Sequence, residues 1–183
     1  LKVTLADGRT VEADMTQGWT PQEGSWTAGE GTLKGSGPGV MRWILWSTPE
    51  AFGDCSISLK ARKTAGAEGF LIYLGLHDGY VLNIGGWGNQ TTAFQRINGN
   101  DMPQIPNNIS QHVEEGRWYD IRIDVKGGKF TYYLDDKQML ETTIENIQHY
   151  VVSGYDESTG ELIVKFVNAT EEPFTTSINL QNV

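Results

Sequence analysis

The chain has 183 residues, 38% of them hydrophobic, with six Trp, seven Tyr and six Phe, which is ample apolar area for a core and excludes disorder. Its formal net charge of −9 repels phosphate backbones and anionic lipid, so nucleic-acid and membrane partners are disfavoured and neutral ones, sugars foremost, stay open. No stretch approaches the roughly 18 apolar residues of a spanning helix, no basic segment leads an apolar run as in a secretory leader, and Leu1 in place of Met reads as a processed or excised piece.

Period-two alternation broken by Gly, Asn and Asp turns dominates the chain and predicts many short strands. Short strands are expected at 32–34 and 40–46. The segment 55–62 alternates cleanly, with Cys55, Ile57, Leu59 and Ala61 on one face and Ser56, Ser58, Lys60 and Arg62 on the other. Strands follow at 70–76 and 80–84. Residues 90–116, rich in Asn, Pro, Gln and Gly, read as one long irregular loop, and a loop that long in a compact domain is functional or disordered. The segment 118–126 puts Tyr119, Ile121, Ile123 and Val125 inward and Asp120, Arg122, Asp124 and Lys126 outward. Gly127-Gly128 then forms a two-residue hairpin turn, because glycines accept the positive φ it needs. The chain returns at 129–134 and turns again at Asp135-Asp136. A helical turn is allowed only within 140–150, and further strands are expected at 162–167 and 177–180. The fold class is therefore all-β, an antiparallel two-sheet sandwich or jelly roll.

Few residues announce chemistry. Cys55 is the single cysteine, so no internal disulfide exists, and it reads as a small buried hydrophobe. His77, His112 and His149 lack metal-ligand spacing. A glycosidase needs two carboxylates facing each other across a cleft, and nothing marks a pair among Glu23, Glu68, Asp78 and Asp101. No nucleophile-elbow motif is present.

Sugar recognition uses an aromatic ring stacked on the apolar face of the sugar, with amides and Arg for its hydroxyls. Trp87 fits, because glycines at 85, 86 and 88 leave its ring little local support. Asn83, Asn89, Gln90, Gln95 and Arg96 stand close in sequence as hydroxyl partners. The alternative is that Trp87 caps the core. Trp46 with Arg42 offers a second candidate surface, one of Trp43 and Trp46 being core by alternation. Trp19, Trp26 and Trp118 read as core.

Three segments carry a family resemblance. Gly116-Arg117-Trp118-Tyr119 through Val125, with Gly127-Gly128 and Tyr133-Leu134-Asp135-Asp136-Lys137, resembles the hairpin of laminin-G and concanavalin A-like sandwiches, and Gly18-Trp19, Gly24-Ser25-Trp26 and Gly31-Thr32-Leu33 resemble their opening strands. Gly85-Gly86-Trp87-Gly88-Asn89 is similar to a segment of lectin-like modules attached to bacterial α-L-arabinofuranosidases. Tyr155 through Asn168 resembles a strand pair of the C-terminal β-domain of those enzymes, as does Leu1 through Leu5.

The resemblance implies a lectin-like sandwich at 17–145, inserted between flanking strands of an accessory β-domain at 1–16 and 146–183. It implies an extracytoplasmic, non-catalytic carbohydrate-binding module of a glycan-degrading enzyme, an α-L-arabinofuranosidase acting on plant polysaccharide. The alternatives are a purely structural accessory domain packed on the catalytic barrel and an independent lectin-fold sugar hydrolase. No catalytic residue carries over, since those carboxylates sit in an α/β barrel and no βα repeat occurs here. The partners implied are a neutral oligo- or polysaccharide and the parent catalytic domain. No cofactor is required. Such sandwiches often hold a structural Ca2+, for which Asp135-Asp136 and Asn98-Gly99-Asn100-Asp101 are the oxygen-rich candidates.

Overall fold

A computed structural model describes residues 1–37, 43–48, 52–75, 79–97, 102, 104–143, 149–168 and 173–179. In chain order the strands are β1 (Lys2–Leu5), β2 (Thr10–Glu12), β3 (Trp19–Glu23), β4 (Ser25–Gly29), β5 (Thr32–Ser36), β6 (Trp43–Trp46), β7 (Cys55–Arg62) and β8 (Phe70–Leu74). They continue as β9 (Tyr80–Gly85), β10 (Thr91–Arg96), β11 (Gln104–Ser110), β12 (Trp118–Lys126), β13 (Lys129–Leu134), β14 (Lys137–Thr143), β15 (His149–Asp156) and β16 (Glu161–Asn168). The chain divides into two compact units, Leu1–Ile144 and Glu145–Val183.

The first unit is an antiparallel sandwich. One sheet has the order β14-β13-β12-β7-β1-β2 and the other β11-β10-β9-β8. Alternation on β12 and β13 points Tyr119, Ile121, Ile123, Phe130 and Tyr132 at Leu82, Ile84 and Phe94 of the opposite sheet, and these side chains form one buried cluster. Aromatic edges lock the two layers: Phe130 meets the rings of Tyr80 and Phe94 at 5.0 and 5.4 Å between centroids, and Phe70 meets Tyr119 at 6.2 Å. The Gly127-Gly128 hairpin turn has φ of 55° and 76°, the primed geometry that two glycines permit. Two small ribbons, β3–β6 and β4–β5, complete the unit.

Three sequence expectations change. First, 90–116 is not one loop, because it holds β10 and β11. Their pattern hides because both faces of β10 are covered, Thr92 and Phe94 on the core side and Ala93 and Gln95 on the other. On β11, Pro106 and two asparagines look like turn residues, yet β11 is a sheet edge, where proline costs no ladder bond. Second, Lys2–Leu5 pairs with β7 inside the six-stranded sheet, with Val3 opposite Ile57, although the sequence grouped it with the C-terminal flank. Val3 is 2% exposed, so burial in this core holds the strand in place. Third, β14 extends the sheet to Thr143 where a helical turn was allowed, and 177–179 form no strand.

Trp118 was expected in the core and is 47% exposed. The alternation that turns Tyr119 inward turns Trp118 outward, where the Arg62 guanidinium lies 4.8 Å over its ring. Trp19 and Trp26 are half-buried rather than central. Cys55 is buried, and burial beside Asp54 and Asp124 pushes its thiol upward in pKa, away from reactivity.

Tyr132 is fully enclosed between the sheets, and burial pushes its phenol well above the usual range, against a smaller opposing pull from the Gln111 amide 3.1 Å away. The folded state therefore keeps a proton that the unfolded chain releases near pH ~10. That contribution is complete below the unfolded value and declines as pH climbs above it toward the raised folded one. The urea midpoint should be level up to about pH 9 and fall above ~10, with a shallower fall in Tyr132→Phe. Identical slopes in both proteins would refute this account.

Candidate functional site

At one end of the four-stranded sheet, three segments converge: the β9–β10 turn, the chain from Ser110 to Val113, and the residues just before β8. The turn is a left-handed one. Gly85, Trp87, Gly88 and Asn89 have φ of 62°, 50°, 74° and 64°, and Gln90 N–H closes it on the Gly86 carbonyl at 3.0 Å. Glycine adopts this conformation freely, but a left-handed tryptophan stores on the order of 1–2 kcal/mol of strain. Asn83 packs against Gly86 so closely that a Cβ there would push the Asn83 amide out of its place.

The surroundings hold that strain in place. The Asn89 side chain is 6% exposed and mimics a strand partner. Its Nδ2 donates to the Val113 carbonyl at 2.9 Å and its Oδ1 accepts from the Val113 N–H at 2.8 Å. Glu68 Oε1 accepts the Gly88 N–H at 2.9 Å, and Gly69 N–H donates to the Gly85 carbonyl at 2.9 Å. His112 Nδ1 lies 3.2 Å from the Asn89 carbonyl. Gln111 N–H donates to the Gln90 carbonyl at 3.0 Å.

The result is a half-exposed indole, 41% accessible, on a rigid turn. From Asn89 onward the same turn enters an open depression of about 340 Å³ lined by Asn89, Gln90, Ser110, Gln111 and His112. The amide, hydroxyl and imidazole groups of the depression can satisfy sugar hydroxyls, and an exposed indole two residues from Asn89 can cover an apolar sugar face.

The other expected residues part company. Asn83 and Gln95 do meet, Asn83 Nδ2 donating to Gln95 Oε1 at 3.1 Å, while Gln95 Nε2 bonds the Met102 carbonyl. Both are buried on the face of the sheet turned away from the sandwich core, so each amide serves the fold. Arg96 has the parity of Phe94 and lies on the opposite face from Gln95. Trp46 stacks on Trp19 at 6.1 Å and meets Phe52 at 6.4 Å, while Trp43 stacks on Tyr73 at 5.9 Å. Neither Trp43 nor Trp46 is deep core, since both are half-buried. Arg42, His77, Asp78 and 98–101 lie outside the described residues.

Ser110 and Gln111 were not singled out, and Glu68 and His112 were weighed only as a carboxylate and a metal ligand, because all four lie 19 residues or more from Trp87. Only the polar run at 110–112, set before the apolar Val113, hinted at them. Among the described residues no group of three or more His, Cys, Asp or Glu side chains could hold a metal ion. Asp135, named for calcium, is engaged instead: Arg117 pairs with its Oδ2, and the Asp120 N–H donates to its Oδ1 at 3.0 Å.

A family model described as the 3-keto-alpha-glucoside-1,2-lyase-like domain matches residues 2–181. The chain is 33% identical over 193 residues to an extracellular exo-alpha-L-arabinofuranosidase of Streptomyces chartreusis. That alignment takes in 98% of this chain but 23% of the relative, so the chain spans less than a quarter of its length. Among solved structures, carbohydrate-binding module CBM66 from Bacillus subtilis superposes with a TM-score of 0.58 at 20% identity, covering 69% of this chain and 79% of that one. At that identity the likeness is one of fold.

Proposed function

The chain belongs to the 3-keto-alpha-glucoside-1,2-lyase-like domain family, and from that premise we propose that it is a non-catalytic carbohydrate-binding module of a larger secreted glycan-degrading enzyme, an α-L-arabinofuranosidase acting on plant polysaccharide. The extracellular arabinofuranosidase relative supports the parent enzyme and its location, and the sandwich shared with a carbohydrate-binding module supports the role. We read the sandwich as a jelly roll of the concanavalin A and laminin-G kind.

The observation that carries the proposal is Trp87. A tryptophan in left-handed conformation, 41% exposed, is costly unless its position serves something. We assign it the stacking platform, with Gln90, Ser110 and His112 as hydroxyl partners.

Trp87→Ala should weaken binding of an arabinose-bearing oligosaccharide about tenfold or more, since ~1.4 kcal/mol is one decade. Its melting temperature should change little, because the ring lost is 41% exposed and alanine carries the same left-handed strain at φ 50°. Calorimetric titration and thermal unfolding of the one variant decide between platform and core cap. Unaltered binding, or a stability loss of the ~3–5 kcal/mol that emptying a core tryptophan site costs, refutes the platform.

The family description favours a second reading, a sugar lyase or hydrolase. A screen on a 3-keto-α-glucoside and an aryl arabinoside tests it. Turnover abolished by Glu68→Gln would replace the binding role with catalysis.

A further inference from the structure

Among the described residues of the Leu1–Ile144 unit, Trp118 is the most exposed large hydrophobic side chain, more so than Trp87. It heads β12 on the face turned away from the core and stands directly opposite Arg62, the last residue of β7. This rung lies at the open end of the six-stranded sheet. β13 pairs with β12 from Ile121 onward, and β1 pairs with β7 as far as Ser58. Among the described residues, then, no strand flanks the Trp118–Arg62 rung on either side.

The charges around it are matched. Lys60 pairs with Asp120 at 3.1 Å, Arg122 with Asp124, and Arg117 with Asp135. Arg62 differs: among the described residues its side chain makes no ion pair or hydrogen bond, and its guanidinium lies 4.8 Å over the Trp118 ring. That stacking fixes the plane of the guanidinium and leaves its N–H donors unspent. An exposed cation–π pair adds little to stability, so the fold gains little from a tryptophan placed there.

We infer that Trp118 and Arg62 form a second sugar-binding surface, on which the indole covers the apolar face of a neutral sugar and the guanidinium donates to a pair of its hydroxyls. The inference rests on the carbohydrate-binding reading but not on Trp87. The net charge of −9, with Glu114 and Glu115 just ahead of the rung in sequence, disfavours a carboxylate-bearing ligand. A protein partner fits less well, because every other outward side chain on β7 and β12 is polar or charged, and an interface needs an apolar centre.

The surface is continuous with the candidate site. Val113, which holds Asn89, precedes Trp118 by five residues, and Glu68, which accepts the Gly88 N–H, follows Arg62 by six. The Gly116 N–H donates to the Lys63 carbonyl at 2.8 Å and draws these two links together. Five residues of chain reach at most about 18 Å. One polysaccharide strand can therefore engage both tryptophans, and binding through two linked contacts exceeds binding through either.

Nuclear magnetic resonance of the tryptophan indole N–H groups tests this on the chain as it stands, with an arabinose-bearing disaccharide and soluble arabinoxylan as probes. The Trp118 signal, assigned by its loss in Trp118→Ala, should shift as the disaccharide is added. Trp118→Ala should weaken arabinoxylan binding about tenfold and Arg62→Gln about threefold or more, with melting temperatures little changed. Trp118→Phe keeps a ring and should retain most of the affinity, which preserves the test if the alanine variant fails to fold. A Trp118 signal that stays still, with arabinoxylan affinity unaltered in Trp118→Phe and Arg62→Gln, overturns the inference and leaves the Trp87 site standing. A shift produced by polygalacturonate and not by the neutral sugars overturns it too, assigning the surface to a carboxylate. A Trp118 signal that shifts while that of Trp87 stays still supports this surface and removes Trp87 from the sugar-binding reading.

Discussion

Asn89→Ala should be among the most damaging single changes in the sandwich, lowering the melting temperature by about 10 °C. The substitution removes both bonds to Val113, a residue 1% exposed, and leaves its N–H and carbonyl buried without partners. Each orphaned group costs roughly 1–3 kcal/mol. Alanine at the φ of 64° that Asn89 adopts adds about 1 kcal/mol, since asparagine tolerates the left-handed region better. A loss near 4 kcal/mol, at ~2–4 °C per kcal/mol for a unit of this size, gives the shift. Asn89→Asp keeps the acceptor for the Val113 N–H and loses the donor, so it should fall between the two. Calorimetric scans of the three proteins check the order, and an Asn89→Ala midpoint within about 2 °C of the parent would show that the pairing carries little. Glycan binding should drop with the stability, because the turn that presents Trp87 is fixed from this side. Trp87→Ala has the opposite signature, lost binding with stability intact.

Phe94→Ala should cost about 3–5 kcal/mol of stability. Phe94 is 0% exposed at the middle of β10, and its ring lies 5.4 Å from that of Phe130 on the opposite sheet. Truncation empties a site walled by two β-sheets whose backbones are fixed by their ladders, so the hole cannot collapse well. The urea midpoint should fall while the slope of the transition stays the same, the mark of lost stability rather than a changed unfolded state. A loss below about 1.5 kcal/mol would mean that the sheets close over the gap. The folded variant should still bind sugar, because Phe94 does not line the depression of the candidate site.

Much of the fold is legible because alternation is strong wherever one face meets water. β7, β12 and β13 begin and end where their side chains alternate, and the glycine and aspartate pairs between them turn as their φ preferences require. Legibility fails on β10, which is covered on both faces, and β9 is legible as a strand but not in the cover of its second face, so that Asn83 and Gln95 look like surface amides and are buried. Trp118 shows a different failure, residue size set above parity. The candidate site divides in the same way. Trp87 is visible through its flanking glycines, a local cue. Glu68 and His112 reach the turn only through the sheet pairing that brings residues 20 or more positions apart together. Asn89 is visible as a polar neighbour, but its engagement with Val113 is a tertiary fact that no local pattern encodes.

The seating of β1 between β7 and β2 has a practical consequence for anyone trimming this polypeptide. A deletion up to residue 16, a natural place to cut on sequence grounds, would strip both strands from the six-stranded sheet. β7 would then become an eight-residue border with its amides and carbonyls unpaired from Cys55 to Ser58, and Ile57 would lose the cover of Val3. Long straight borders of that kind recruit strands from neighbouring molecules. The shortened protein would be prone to precipitate or to exchange segments between copies, and the fault would look like poor expression although the sugar site itself was untouched.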